Sequence, residues 1–168
     1  MKKDVLIIAH FSDDLDKRGN GRFNYLANTL ADIGVDVELV TSSFSHNNKK
    51  ARDKNSANNA NYKVTFIEEP AYKKNVSLKR FFSHYAMASN LKKYLKSRKK
   101  PNVIYCSVPS LDVASTAAKY AKENNIKFVI DVQDLWPEAF QMVFNVPVIS
   151  DIIFYPMKKK ADYVYKVA

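Results

Sequence analysis

Short apolar runs alternate along this chain with segments of helical periodicity, and this alternation constrains the fold more than any other feature. Val5–Ala9 and Val103–Val108 are mostly apolar, as is typical of parallel strands that are covered on both faces. In Arg22–Ile33, by contrast, apolar residues recur every three or four positions, as on one face of a helix. Gly34 follows at the position where a helix commonly ends. This order predicts an α/β domain whose parallel sheet lies between layers of helices.

The same patterns predict the remaining elements. Further strands are expected at Val35–Thr41, Tyr62–Ile67 and Ile126–Val132. Further helices are expected at Ser77–Ser97 and Asp112–Asn124, and a helical remainder follows Pro137, with a kink at Pro156. The polar segment Ser42–Asn61 is rich in asparagine and has no hydrophobic period, so it is predicted to be a long mobile loop. A chain of 168 residues fits a single domain, residues 1–168.

The positive charge of the chain is concentrated in its middle third. Lys49–Lys100 contains 15 basic and 3 acidic residues, whereas the rest of the chain contains 12 basic and 14 acidic residues. The formal net charge of +10 therefore comes entirely from this segment. A local excess of this size suggests an anionic partner, such as a membrane surface, a nucleic acid or a phosphate-bearing substrate.

The predicted helix Ser77–Ser97 combines an apolar stripe with basic residues. The stripe comprises Leu78, Phe81, Phe82, Tyr85, Ala88, Leu91 and Leu95. The basic residues that lie largely off it are Lys79, Arg80, Lys92, Lys93 and Lys96. The stripe can face the core while the basic side is solvated, or the basic side can meet an anionic membrane. Nucleic acid is a weaker alternative, because the chain contains no recognised RNA- or DNA-binding pattern.

Several classes of protein and site are disfavoured by the sequence. The apolar run Val5–Ala9 is too short for a secretory signal or a membrane span, so a cytosolic domain is expected. Cys106 is the only cysteine, which excludes an internal disulfide, and its place within a predicted strand indicates an inert thiol. His46 and His84 have no metal-ligand spacing to another histidine, cysteine or acid. No metal site is therefore expected.

Three loops follow the carboxyl ends of predicted parallel strands, where ligands bind: His10–Arg22, Gln133–Glu138 and Pro109–Asp112. The first two carry candidate ligand-binding residues. In the first loop, Gly19 and Gly21 precede a helix, and Arg22 could add a guanidinium for a phosphate. The spacing is not that of a dinucleotide fingerprint, and a flexible loop with a glycine N-cap is an equal alternative. His10 ends the first strand and could face the same cleft.

The second loop carries the run Asp-Val-Gln-Asp-Leu-Trp-Pro-Glu, residues 131–138. Carboxylates at a strand end can accept hydrogen bonds from sugar hydroxyls or act as a base, and Trp136 offers an apolar ring for a sugar face. Pro137 and Glu138 suit the first turn of a helix. In the alternative interpretation, Trp136 is a core residue and Asp134 caps the helix.

These segments, in their order and spacing, resemble the N-terminal domain of family 4 glycosyltransferases, which have the GT-B fold. The similarity covers KKDVLIIAHFSDD, GNGRFNYLANTLADIGVDVELVTS and PNVIYCSVPSLDVASTAAKYAKENNIKFVIDVQDLWPE. The DLWPE run resembles a subgroup that builds capsules, O-antigens and other bacterial surface polysaccharides. The closing KKKADYVYKVA is similar to the helix that leads to the last strand of that domain.

The resemblance implies a Rossmann-like domain that forms one half of a GT-B enzyme and mainly binds the acceptor. The other half, which this chain lacks, would bind the nucleotide-sugar and carry an acidic pair in an E-x7-E arrangement. Transfer would retain the anomeric configuration without a metal or other cofactor, and this domain alone would be inactive. The implied partners are a nucleotide-sugar, a lipid-linked glycan and the missing domain. The implied location is cytoplasmic, peripheral to the inner face of the cell membrane, with no role for nucleic acid.

The resemblance also assigns roles to individual residues. Asp134 matches the aspartate of a His-Asp pair and would be catalytic, while Gln133 occupies the position of the histidine. The residues that would contact substrates are His10, Gly19, Gly21, Arg22, Gln133, Trp136 and Glu138. Two other functions remain open: a stand-alone basic module that binds an anionic membrane or nucleic acid, and a different GT-B enzyme such as a nucleotide-sugar epimerase.

Overall fold

The structure, a computed structural model, describes residues 2–12, 15, 21–57, 60–74, 77–108, 110–135 and 149–168. The strands are β1 (Asp4–Ile8), β2 (Asp36–Ser42), β3 (Phe44–Ser45), β4 (Lys50–Ala51), β5 (Lys63–Ile67), β6 (Val103–Ser107) and β7 (Lys127–Asp131). The helices are α1 (Arg22–Asp32), α2 (Leu78–Ser97), α3 (Leu111–Glu123) and α4 (Ile149–Val167).

Five parallel strands form the central sheet in the order β5-β2-β1-β6-β7. β1 lies in the middle, where Ile7 is opposite Leu39 of β2 on one side and Tyr105 of β6 on the other. The chain extends the sheet in one direction from β1 through β2 to β5 and in the other through β6 to β7. This arrangement is a Rossmann-like α/β fold, which confirms the fold class predicted from the sequence.

Alternate residues of β1 point to opposite faces of the sheet, and each face has its own hydrophobic core. Leu6 and Ile8 lie in the core that is covered by α2, α3 and α4. Ile7 and Ala9 lie in the opposite core, against Phe23 of α1. Helices therefore cover both faces, as the apolar β1 sequence predicted.

Two local predictions, for Gly34 and for Cys106, are also confirmed. Gly34 follows Ile33, the C-cap of α1, and has a φ of +84°, which is the left-handed geometry that favours glycine at a helix end. Cys106 is fully buried in β6, and burial raises the pKa of its thiol to about 12. Pro156 lies inside α4, which packs against α3. Among the helices of the described residues, none has the length and apolarity needed to cross a bilayer.

The expectation of a long mobile loop at Ser42–Asn61 is wrong over much of that segment. β3 and β4 pair antiparallel, Phe44 opposite Ala51, and a 3-10 turn follows at Lys54–Ala57. Phe44 is buried, with its ring centroid 4.9 Å from that of Tyr72. The hairpin is too short to produce a strand period in the sequence, so the sequence did not predict it. The buried ring of Phe44 anchors it.

The predicted apolar stripe of α2 is correct only in its C-terminal half. Leu91 and Leu95 are fully buried, but Leu78 and Tyr85 are exposed. The stripe advances in several successive steps of three residues, which fall short of a helical turn of about 3.6 residues, so it passes around the helix. The buried side of the first half of α2 instead carries Ser83, which donates a hydrogen bond to the carbonyl of Pro70.

Candidate functional site

The site lies at the carboxyl edge of the central sheet, where α1 begins and β7 ends. In open parallel sheets, ligands bind at this edge, where the connections diverge to the two sides of the central strand. Here the connection after β1 goes to β2, and the connection after β6 goes to β7 on the other side. The two loops that the sequence indicated as ligand-binding both reach this edge.

An ion pair joins these two loops. Nη1 of Arg22, the first residue of α1, lies 2.8 Å from Oδ1 and 2.9 Å from Oδ2 of Asp131, the last residue of β7. The Asp131 side chain is only 13% exposed, whereas that of Arg22 is 61% exposed. Asp131 therefore holds an arginine that faces solvent, and its hydrogen bond and charge raise the pKa of the guanidinium.

The neighbours of this pair are polar groups suited to sugar or phosphate oxygens. Gln133 donates a hydrogen bond of 3.4 Å from Nε2 to Oδ2 of Asp131. Tyr105 of β6 lies beside the carboxylate, and burial, followed by the charge of Asp131, raises the pKa of its phenol. Gly21 is the N-cap of α1 and has no side chain to accept bonds from the first-turn amides. The positive end of α1 thus adds to the charge of Arg22.

Two buried hydroxyls lie at the same edge, one on the last residue of β6 and one just before α3. The Oγ atoms of Ser107 and Ser110 make no hydrogen bond within the described part of the chain, although both residues are almost fully buried. Ser110 is the N-cap of α3 but makes no side-chain cap bond. The loop after β6 was a candidate from the sequence, but neither serine was a predicted site residue, because isolated serines carry no motif.

The structure brings together only part of the predicted substrate-binding set. Arg22 and Gln133 bond to Asp131, which was part of the highlighted run but was not assigned a role of its own, and Gly21 precedes Arg22 as the N-cap of α1. Asp134 follows Gln133 at an exposed position. Three members of the set, Gly19, Trp136 and Glu138, lie outside the described residues.

His10 is placed differently from the other candidates. Its side chain is fully buried, and Nε2 lies 2.7 Å from Oε2 of Glu69, which is also fully buried. The ring stacks on Phe11 with 4.3 Å between centroids. Neither His10 Nδ1 nor Glu69 Oε1 has a hydrogen-bond partner among the described residues. His10 thus belongs to a buried polar group at the end of β1.

All three histidines of the chain meet at this point, and we call His10, His46 and His84, together with Glu69 and Tyr72, the histidine cluster. The ring centroids of His10 and His84 are 4.8 Å apart, and those of Tyr72 and His84 are 6.3 Å apart. His46 is hydrogen-bonded to the Tyr72 hydroxyl. Within the described ranges, no group of histidines, cysteines and acids is arranged to hold a metal ion.

Burial keeps two of these histidines neutral. Burial, followed by the charges of Lys49 and Arg80, lowers the pKa of His46 to about 4. Burial, with His10 and Arg80 nearby, lowers the pKa of His84 to about 2. The cluster could not be predicted from the sequence, because its members are far apart in the chain and share no spacing motif.

The basic residues of α2 also divide into two groups. Lys79, Lys92, Lys93 and Lys96 are exposed, as predicted for a surface that meets an anion. Arg80 turns inward instead, with Nε 3.3 Å from Nε2 of His84 and Cζ 5.9 Å from the Phe11 ring centroid. The prediction for Arg80 therefore needs correcting: its guanidinium contacts the histidine cluster, because the inner side of α2 is polar at this end.

Comparison with known proteins supports the fold class. No family model and no curated protein matches the chain. The C-terminal domain of PF1911 hydrogenase from Pyrococcus furiosus is similar in structure, with a TM-score of 0.52 and 15% identity, over 77% of this chain and 91% of that one. This likeness extends to the fold alone.

Two more distant structures match at lower scores. A ugt transferase from Siraitia grosvenorii in complex with UDP has a TM-score of 0.45 and 9% identity, over 77% of this chain and 27% of that one. Pantoate-beta-alanine ligase from Francisella tularensis has a TM-score of 0.40 and 13% identity, over 81% of this chain and 61% of that one. The order of the sheet and the likeness to the PF1911 domain define the class of protein, an α/β protein with a Rossmann-like sheet.

Proposed function

We propose that this chain is the acceptor-side half of a retaining glycosyltransferase of surface-polysaccharide synthesis. In this role, residues 1–168 bind a lipid-linked or polysaccharide acceptor, and a second domain supplies the nucleotide-sugar. The support is the ordered resemblance of the chain to that half of the family 4 enzymes, together with the site at the carboxyl edge. The protein would act in the cytoplasm at the inner face of the cell membrane.

The Arg22–Asp131 pair is the observation that carries the proposal. An exposed guanidinium at a helix N-terminus, fixed by a largely buried carboxylate, is suited to a phosphoryl group. The free lone pairs of Asp131 and the amide of Gln133 can bond sugar hydroxyls beside it. A phosphate-linked sugar contains both groups in one molecule, so it matches this site better than a neutral sugar does.

The proposed catalytic residue is Asp134, which lies shortly after Asp131 in the chain. Its exposed position after β7 leaves it open to a substrate between two domains. Trp136 would cover a sugar face, as its place in the DLWPE run implies. Because the donor half is a separate domain, we expect no sugar transfer by this chain alone.

The proposal can be tested by acceptor binding. Isothermal titration calorimetry with a water-soluble, short-chain polyprenyl-pyrophosphate-linked sugar should show binding to the wild-type chain. Arg22→Ala should weaken binding at least about tenfold, because a charge-assisted phosphate contact is lost. Lys119→Ala, which removes an exposed lysine of α3, is the matched control and should bind as the wild type does. Equal binding by Arg22→Ala and wild type would contradict the proposal, as would sugar transfer by the isolated chain.

One observation favours a second candidate, a stand-alone module for anionic surfaces. α2 contains five basic residues and no acidic residue. If calorimetry shows no acceptor binding by the wild type or by Arg22→Ala, while the wild-type chain binds anionic vesicles, this second function replaces the first.

A further inference from the structure

The first half of α2 presents an apolar surface to solvent. Its members are Leu78, Phe81, Phe82 and Tyr85, with exposed fractions of 87%, 51%, 62% and 66%. They are spaced i, i+3, i+4 and i+7, so they form one continuous patch on one side of the helix. We call these four residues the aromatic half-face. Exposed apolar patches of this kind mark surfaces that bind a partner or a membrane.

The fold fixes this exposure, because the opposite side of the same helical turns is polar and engaged with the protein. Ser83 is fully buried and donates a 2.7 Å hydrogen bond to the carbonyl of Pro70. Arg80 donates to His84, which lies against the ring of His10. Further along, Leu91 and Leu95 anchor α2 in the core. A rotation of α2 that buried the four apolar residues would break these contacts.

The same outward side of α2 becomes cationic in its second half. Lys92, Lys93 and Lys96 follow Tyr85 at i+7, i+8 and i+11, so they continue the side on which the aromatic half-face lies. All three are exposed. Residues 70–102 contain ten basic side chains and no acidic one. The outward side therefore has an aromatic part and a lysine part, with no acidic group on either.

We propose that this outward side of α2 docks on an anionic lipid bilayer, with the aromatic half-face inserted at the boundary between headgroups and acyl chains. The three lysines would then contact lipid phosphates beside the inserted residues. Leucine and aromatic side chains flanked by lysines are the composition of helices that lie in a membrane interface. Membrane docking rests on the proposed function, in which the acceptor is linked to a lipid. It deepens that function by naming the residues that enter the bilayer.

Charge favours the bilayer over a second copy of the chain. A dimer formed through the outward side of α2 would enclose six lysines without an acid from either copy of that helix. Burying unpaired charges is unfavourable, whereas a surface of anionic headgroups supplies a counter-charge to each lysine. Dimerisation and single-stranded RNA binding are therefore outcomes that the experiment must separate from membrane docking.

The test is vesicle flotation with phosphatidylcholine alone and with added phosphatidylglycerol. We expect the wild-type chain to bind the anionic vesicles, less so as salt increases. Phe81→Ser/Phe82→Ser should lower the partition coefficient at least about tenfold at all salt concentrations, because two rings no longer enter the interface. Lys92→Ser/Lys93→Ser/Lys96→Ser should weaken binding mainly at low salt and reduce its salt dependence.

Tyr155→Ser is the matched control, since Tyr155 is an aromatic residue of α4 that is 55% exposed. It should float as the wild type does, and circular dichroism should show that every variant is folded. Wild-type flotation by Phe81→Ser/Phe82→Ser overturns the inference, as does wild-type binding that ignores lipid charge.

Two further outcomes also overturn it. One is a concentration-dependent dimer, measured by light scattering, that Phe81→Ser/Phe82→Ser abolishes while vesicle binding persists. The other is binding of polyuridine that depends on the same two residues without any binding of vesicles. Arg22→Ala should float normally while losing the lipid-linked sugar, so failure of membrane docking and failure of the proposed function give different results.

Discussion

Nε2 of His10 lies 2.7 Å from Oε2 of Glu69, and both side chains are fully buried at the carboxyl edge of the sheet. The bond connects the chain just after β1 with the chain just after β5, across the end of β2. It ties the histidine cluster to the ends of β1 and β5. Because a buried polar group without a partner is costly, this bond makes its two residues interdependent.

Removing the carboxylate should destabilise the fold. Glu69→Ala leaves His10 buried without its partner, and we expect the free energy of unfolding to fall by about 1–3 kcal/mol in urea titrations. Glu69→Gln keeps one oxygen acceptor and should lose less. Glu123→Ala, which removes only an exposed i,i+4 contact with Lys119, should change stability by less than about 0.5 kcal/mol. A Glu69→Ala protein as stable as the wild type would show that the bond contributes nothing.

Acid should destabilise the protein through the histidine cluster. The pKa values of His46 and His84 are lowered to about 4 and about 2, so the unfolded chain binds protons that the folded chain does not. Their contribution is therefore complete above the unfolded pKa of about 6.5 and declines as the pH falls from there toward 4. Each histidine adds a slope of at most about 1.4 kcal/mol per pH unit.

Burial sets the direction of that effect, and the charged groups that face the histidines modify it. Lys49 and Arg80 oppose protonation of His46, His10 adds to them, and Glu69 favours it. His84→Gln should flatten the dependence of unfolding free energy on pH between 6.5 and 4, measured in urea at several pH values. A Tyr155→Ser control should keep the wild-type slope. Equal slopes for His84→Gln and wild type would argue against a neutral buried His84.

Arg98 should be needed for stability through its contact with Glu38. Glu38 of β2 is buried, and its Oε2 accepts a 3.0 Å bond from Nε of Arg98. Although burial opposes it, hydrogen bonds from Thr65, Tyr94 and Lys63 hold the pKa of Glu38 below its usual value. Arg98→Ala leaves a buried carboxylate with fewer counter-charges, so we expect a loss of about 2–4 kcal/mol in urea unfolding.

The matched comparison is Lys63→Ala. Lys63 contacts the same carboxylate at 2.9 Å, but its side chain is 65% exposed. Its removal should therefore cost less than about 1 kcal/mol. If both variants lose the same stability, burial of Arg98 is not the reason for its effect.

Gly34 should resist substitution because of its backbone and not because of crowding. Its φ is +84°, and a Cβ built there meets no atom within 4 Å. Gly34→Ala should cost about 1 kcal/mol from left-handed strain alone, measured as a lowered Tm. Gly34→Asn should cost less, since asparagine tolerates this geometry better. An alanine variant that melts at the wild-type temperature would contradict this account.

The sequence predicted the sheet well because a buried parallel strand has a strong local signature. The runs around Ile7 and Ile104 are apolar on both faces, and both strands lie where expected, shifted by one residue at most at either end. The sequence also predicted that the loops after β1 and β7 lie at one edge of the sheet. It did not predict the bond between Arg22 and Asp131. Such a bond depends on side-chain geometry that spans much of the chain.

The errors occurred where neighbouring elements decide which side of a helix is buried. Phe81 and Phe82 belong by type to a core, yet they face outward because Ser83 and His84 meet the end of the sheet. Likewise, His46 lies in an asparagine-rich segment that gives no sign of packing against Tyr72. Periodicity shows only that a helix has an apolar side. The elements that pack against the helix determine which side is buried.

The central position of β1 has a consequence for how the chain acquires its structure. Val5 pairs with Val37 of β2 on one side and with Val103 of β6 on the other. Val103 is far later in the chain than Val37. Until that distant segment is synthesised, one long edge of β1 has no strand to bond, and the first half of the protein is an incomplete sheet with an open side. Non-local closure of this kind slows folding and leaves unpaired edges that favour aggregation. The middle strand of the sheet thus precedes its described neighbours in the chain, yet it is enclosed only after β2 and β5 have been made.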